Sequence, residues 1–395
     1  MQNFQICTPT NLVFGKDTQH QIGKLIKPYA KKVLLHYGGG TVKKIGLYDD
    51  VVKSLTNEGI EYVELGGVVP NPRLSLVYEG IALCKKENVD FILAIGGGSA
   101  IDSSKAIAVG VCFDGDIWDK FESKSPVEKA LPVATILTIP AAGSEMSSSA
   151  VVSNEEKGRK HGINSDLIRP VVSIVNPEYF MTLPNNQIGN GVADILSHIL
   201  ERYFTRTINC DITDGMCESI LKTVMKNALL VIENPKNYEA WAEVGLGGIL
   251  AHNNWLGIGR AQDWATHNME HELSAYNDVA HGAGLAVLTP AWMKYVYKDN
   301  KENLPMFVQF AVNVMGVEGS YRQPEDIIEE GIKRLEEFFR KMGLPLTLKE
   351  IGINEDAFEG MAKKATGAYF GDEKGIGNFK RLMWQDVVNI FNLCK

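Results

Sequence analysis

An α/β domain built on a parallel sheet, followed by an all-helical domain, is the architecture this sequence predicts. Three observations carry it. The first half alternates short β-branched runs with helical stretches, the pattern of strands covered by helices on both faces. The last convincing strand is Val171-Val172-Ser173-Ile174-Val175, and Thr182-Leu183-Pro184 then breaks the pattern. Beyond that break the chain reads as helical to its end, with long amphipathic stretches and short polar turns. At 395 residues the chain is too long for one ordinary core, and the predicted domains are residues 1–183 and 184–395.

The elements follow in order. Lys32-Val33-Leu34-Leu35-His36-Tyr37 is a strand ending in Gly38-Gly39-Gly40, with a helix after it to about Glu58. Ile60 to Leu65 is the next strand, closed by Pro70-Asn71-Pro72, and a helix runs from Leu74 to Glu87. Phe91 to Ile95 leads into Gly96-Gly97-Gly98-Ser99, where a helix carrying Asp102 and Lys105 opens. Val133 to Leu137 is a further buried strand. In the helical half the clearest turns are Glu233-Asn234-Pro235, Asp299-Asn300 and Gly343-Leu344-Pro345.

Ligands of parallel sheets bind at the carboxyl ends of the strands. Three loops of glycine or small residues fall there: Gly38–Gly40, Gly96–Ser99 and Thr138–Glu145. Glycine lets a backbone approach a phosphate with no Cβ in the way. A helix starting straight after Gly96–Ser99 aims free N–H groups at an anion, so this loop is the pyrophosphate candidate of a Rossmann-like domain. The usual Gly-x-Gly-x-x-Gly fingerprint is absent, because its third glycine falls on Lys43 in one loop and Ile101 in the other. The bland alternative is three tight strand-to-helix turns.

The loop after the first strand meets the adenine ribose in nucleotide folds, where a carboxylate would bond the 2′-hydroxyl and repel a 2′-phosphate. Here Gly38-Gly39-Gly40-Thr41 offers no acid, and Lys43 and Lys44 lie just beyond. The expected cofactor is therefore NADP, with NAD as the alternative.

The helical half holds the metal candidates. Asp194 and His198 are four apart in a helical stretch, so both face one side and can meet one ion. His267, His271 and His281 follow, and with His252 this region holds five of the 8 histidines. Imidazoles with one carboxylate suit Fe2+ or Zn2+ better than Mg2+ or Ca2+. The competing reading is a simple hydrogen bond along the helix, with the remaining histidines satisfied in the core. His267-Asn268-Met269-Glu270-His271 also fits the His-x-x-Glu-His pattern of inverzincin proteases. That reading leaves Asp194, His198, His281 and the glycine-rich half without a role. With phosphate candidates in one half and metal candidates in the other, the expected active site is the cleft between the domains.

A net charge of -8, with no basic run interleaved with aromatics, argues against nucleic acid or anionic membrane as a partner. The N-terminus lacks a signal-peptide pattern, and no run of about twenty apolar residues is present. Six scattered cysteines with no Cys-x-x-Cys pair fit reduced thiols, so a cytoplasmic location is expected.

Taken together, several motifs resemble the iron-containing (group III) alcohol dehydrogenases over essentially the whole chain. The branch they resemble most is that of NADPH-dependent butanol dehydrogenases and aldehyde reductases. The motifs are Tyr37–Lys44, Gly96-Gly97-Gly98-Ser99-Ala100-Ile101-Asp102, Thr138–Glu145, Asp194-x-x-x-His198, Gln262-Asp263-Trp264-Ala265-Thr266-His267-x-x-x-His271-Glu272-Leu273, and His281-Gly282. The resemblance implies a dehydroquinate synthase-like architecture and a homodimer. It implies Asp194, His198, His267 and His281 as metal ligands and His271 beside the nicotinamide, as proton shuttle or as orienter of a ligand. Around the dinucleotide it implies Gly38, Gly39, Gly40, Thr41, Asn71, Gly97, Gly98, Ser99, Asp102, Thr138 and Lys160. Where many members have Thr before Gly-Ser-Glu in the third loop, this chain has Ala142.

The implied reaction interconverts butanol and other small primary alcohols with their aldehydes, using NADP(H). Trp255, Trp264, Trp292 and Met269 are candidates for an apolar substrate pocket. The alternative on the same scaffold is a non-redox sugar-phosphate cyclase. It would need a basic pocket for the substrate phosphate, and no arginine cluster lies near the metal candidates in the sequence.

Overall fold

The computed structural model describes residues 1–320 and 322–395. Within them the chain forms two compact units: Cys7–Thr182, and Leu183–Lys395 joined by Met1–Ile6. The first six residues, expected with the sheet, pack in the helical unit instead. The Gln2 amide donates to Gly259 O at 2.7 Å and the Met1 ammonium to Ile208 O at 3.0 Å.

The first unit has eight strands: β1 (Asn11–Phe14), β2 (Lys32–Tyr37), β3 (Glu61–Leu65), β4 (Phe91–Gly96), β5 (Val133–Leu137), β6 (Ser149–Asn154), β7 (Arg159–Asn164) and β8 (Val172–Val175). Six make one sheet in the order β1-β8-β5-β4-β2-β3, and every neighbouring pair is parallel. β6 and β7 pair antiparallel as a separate hairpin.

Residues of the central strands alternate between two cores. Val33, Leu35, Phe91, Leu93, Ile95 and Ile136 join the helix Leu47–Asn57 on one face. Leu34, Ile92 and Val133 join the helices Leu74–Glu87 and Gly98–Val111 on the other. Both faces are covered, which explains why these strands read as continuous apolar runs.

The second unit is helical, as the pattern beyond Pro184 predicts. Its central helix is Asn185–Tyr203, in which every residue from Gly191 to Tyr203 is buried. The helices Ala265–Asn277 and His281–Asp299 pack on it. Beside them Phe204, Trp292, Phe307 and Phe379 form an aromatic core, with ring centroids 4.6–6.4 Å apart. Trp292 lies in this aromatic core, and Met269 is buried as well.

Candidate functional site

The three glycine-rich or small-residue loops converge because their strands are neighbours. β5, β4 and β2 lie side by side and parallel, so Thr138–Glu145, Gly96–Ser99 and Gly38–Thr41 emerge along one edge of the sheet. Chain order reverses between β2 and β4, the switch point at which such sheets hold ligands.

Sterics give the glycines different tasks. A Cβ on Gly98 would lie 2.8 Å from Ala142 Cβ, and one on Gly97 would lie 3.1 Å from Ile139 Cβ. These two glycines let the second and third loops touch, and the Thr138 amide adds a bond to Gly96 O at 3.0 Å. A Cβ on Gly39 or Gly40 would meet nothing within 4 Å, so open space stands over that loop. The helix Gly98–Val111 starts from Gly97 with no side-chain cap, leaving the end of its dipole to a ligand anion. An open cradle beside an uncapped helix end fits a dinucleotide.

Asp102, on that helix, is turned to the third loop. It accepts from Ser144 Oγ at 2.5 Å and from the Val151 amide at 3.0 Å. Lys105, fully buried, ties the same loop to the start of β6 by donating to Ser144 O, Ser147 O and Ser149 O at 2.7, 3.0 and 2.8 Å. Burial pulls its amine down to about 8, against the opposing pull of Asp102 and Glu145. Asn71 holds a left-handed φ of 53° and accepts from Lys160 Nζ at 3.0 Å, which joins two residues 89 apart. Lys43 is committed to Glu64, with Nζ 3.1 Å from Oε2, and lies over the Tyr48 ring.

The helical unit gathers its histidines around Asp194. His198 Nδ1 is 3.2 Å from Asp194 Oδ1, as their spacing on one helix requires. His281 Nε2 and His267 Nε2 stand 3.7 and 3.9 Å from the same oxygen. Asp194, His267 and His281 offer ligand atoms that all lie within 4.8 Å of one another. His198 falls outside that tighter set but touches its carboxylate, and its ring centroid is 4.6 Å from that of His267. Asp194 Oδ1, His198 Nδ1 and His267 Nε2 are buried and have no hydrogen-bond partner. Buried polar atoms left unbonded are costly, and three of them facing one point fit a cation. One carboxylate with imidazole nitrogens is a donor set for Fe2+ or Zn2+.

The electrostatics agree. Burial works to lower the His267 value, but the carboxylates of Asp194 and Glu201 outweigh it and lift it to about 9. Burial and the neighbouring His252 and His267 charges hold His198 well below its usual range.

His271 lies one helical turn after His267, its ring centroid 6.0 Å from that of His281 and outside the converging set. Trp264 packs on His198 and His267, with ring centroids at 5.9 and 5.1 Å. Trp255 is 40% exposed. Two functional side chains were missed in the sequence. Glu201 bonds His267 Nδ1 at 3.1 Å, and Glu270 bonds His281 Nδ1. Glu201 stands one helical turn beyond His198, on the face that also carries Asp194, but that spacing alone does not mark it as the partner of a histidine on another helix. In the sequence Glu270 stands out only as the glutamate of the His-x-x-Glu-His pattern, and its bond to His281 gives it a different place.

The comparisons with known proteins agree with this arrangement. The model described as "Iron-containing alcohol dehydrogenase" matches residues 9–177, and "Fe-containing alcohol dehydrogenase family, C-terminal" matches residues 189–394. NADH-dependent butanol dehydrogenase A of Clostridium acetobutylicum is 44% identical over 391 residues, covering 99% of each chain. NADPH-dependent aldehyde reductase YqhD of Escherichia coli is 34% identical, covering 92% of this chain and 93% of that one. The crystal structure of NADH-dependent butanol dehydrogenase A from Thermotoga maritima superposes with a TM-score of 0.94 at 42% identity, covering 100% and 99% of the two chains. The fold and the family matches are those of a nicotinamide-linked oxidoreductase of the alcohol dehydrogenase type. The chain belongs to the iron-containing alcohol dehydrogenase family.

Proposed function

We propose that this protein is an NADP(H)-linked reductase of small aliphatic aldehydes, working in reverse as a butanol dehydrogenase. The observation that carries the reading is the set of buried, unbonded ligand atoms of Asp194, His198 and His267 facing His281. The names of the relatives support the substrate class. In this reading Asp194, His198, His267 and His281 hold one Fe2+ or Zn2+. Such an ion supplies Lewis acidity toward the substrate oxygen. NADPH supplies the hydride.

The chain's own residues do the rest. Gly38, Gly39, Gly40 and Thr41 line the cradle of the adenosine end. Gly97, Gly98, Ser99 and Thr138 form the pyrophosphate loops, with Asp102 fastening the third loop in place. The Lys160–Asn71 pair adds a polar wall from the hairpin. His271 moves the proton between the substrate oxygen and solvent, as an imidazole near neutral pH can. The enzyme is expected to work in the cytoplasm as a homodimer.

The preference for NADP rests on the missing acid in the first loop. Lys43 pairs with Glu64, which leaves the exposed Lys44 as the nearby positive charge. Butyraldehyde reduction followed at the reduced-nicotinamide absorbance tests both points. NADPH should give the higher kcat/KM, and no oxidation of either cofactor would end the reading. Gly40 has φ -70° and ψ 0° with open space at its Cβ, so Gly40→Asp folds without strain. That variant should reverse the preference, and an unchanged ratio of kcat/KM values would defeat the NADP assignment.

A further inference from the structure

Glu201 is buried one turn past His198 on the central helix, and it performs two tasks at once. The helix Ala265–Asn277 begins at Trp264, whose φ of 70° is left-handed and whose side chain gives no cap. Glu201 supplies the cap from another helix, accepting the Trp264 amide at 2.6 Å and the His267 amide at 3.0 Å. It also accepts from the Thr266 hydroxyl. Its remaining contact is His267 Nδ1 at 3.1 Å.

Glu270 is the counterpart for His281. It is wholly buried and accepts from His281 Nδ1 and from the Ser274 hydroxyl. A Cβ on Gly284 would lie 2.8 Å from Glu270 Cγ and 3.2 Å from Oε1, so glycine at 284 makes room for this carboxylate. In both pairs Nδ1 is spent on a carboxylate and Nε2 is turned toward Asp194.

We infer that Glu201 and Glu270 are positioning residues that fix His267 and His281 as Nε2 donors and hold the cation in an anionic cage of three buried carboxylates. The inference rests on the metal centre proposed above. A carboxylate on the far nitrogen sets the tautomer, locks the ring and makes the near nitrogen a stronger donor. Glu201 also caps a helix, so its removal disturbs structure as well. Glu270 bonds the Ser274 hydroxyl of its own helix beside His281 and is the cleaner test.

The experiment uses the full chain in wild-type, Glu270→Gln and Glu201→Gln forms, metal-free and then loaded with one equivalent of Zn2+ or Co2+. Three quantities are read: the rate of Zn2+ loss to a chelator, the visible spectrum of the Co2+ form, and the melting midpoint of the metal-free protein. The expected result is metal loss roughly 10- to 100-fold faster in each variant, with an altered Co2+ spectrum. Glu270→Gln should leave the metal-free midpoint near that of wild type. A merely structural carboxylate would lower that midpoint while leaving the loss rate and spectrum of the loaded protein unchanged, and that outcome overturns the inference. Wild type that takes up less than one ion per chain overturns the metal centre itself, a distinct failure.

Discussion

In the proposed function Asp194 holds the metal and His271 moves the proton. Asp194 is the oxygen around which the imidazoles gather, while His271 stands one turn beyond His267 and outside the converging set. Asp194→Ala should therefore lose metal and activity together. His271→Ala should retain metal while turnover falls about 100-fold or more, the usual contribution of a positioned general acid. Metal analysis beside kcat checks this, and equal metal loss in both variants would remove the role given to His271. At this scale the sequence exposed side chains whose partner lies on the same helix. Asp194 and His198 were legible because four residues make one helical turn. Glu201 and Glu270 were not, because their partners come from other elements and a glutamate in a helix ordinarily faces water.

Among elements, the contact between the second and third loops is the one most open to test. Gly98 has ordinary backbone geometry but no room for a methyl group against Ala142. Gly98→Ala should raise the dinucleotide Kd roughly tenfold or more, since overpacking of about 1–3 kcal/mol must push the loop aside. Adding Ala142→Gly should restore binding, as fluorescence titration with NADPH would report. Strand β2 carries a second expectation. His36 is buried there, its Nδ1 donating to Leu65 O and its Nε2 accepting from Ser103 Oγ, both at 2.8 Å. Burial lowers its value to about 4, below the unfolded 6.5. The folded state binds fewer protons, so the stabilisation is complete above pH 6.5 and is lost as pH falls toward 4. The loss is on the order of 3 kcal/mol, and His36→Gln should flatten that slope in urea titrations run across the same range.

The strands that pattern alone revealed were β2, β3, β4, β5 and β8, where β-branched runs end in glycine or proline. β1 escaped because it is four residues long at the sheet edge. β6 and β7 escaped because Arg159-Lys160-His161-Gly162-Ile163-Asn164 is polar and lies outside the main sheet.

For the whole molecule, the division of labour is chemical. One unit carries the glycine loops, and the other carries the imidazoles. No helix of the described residues is long and apolar enough to cross a membrane. The alternation of strand and helix, followed by helices alone, was readable because the sheet is covered on both faces and the second unit is built on amphipathic spacing. The place of Met1–Ile6 was not, since a short N-terminal segment carries no periodicity to say which unit it joins. All metal candidates lie in the helical unit, so bound metal should stabilise that unit by mass action and leave the sheet unit unaffected. Hydrogen exchange with and without Zn2+ should show added protection in the helices Asn185–Tyr203 and Ala265–Asn277, but none in β2 or β4.

The most direct measurement is a titration of metal-free full-length protein with Fe2+ under anaerobic conditions, following NADPH-dependent reduction of butyraldehyde at each addition. Activity should rise from near zero and break at one ion per chain, with no rise for Asp194→Ala. Full activity before any metal is added, or an Asp194→Ala titration identical to wild type, would contradict the account.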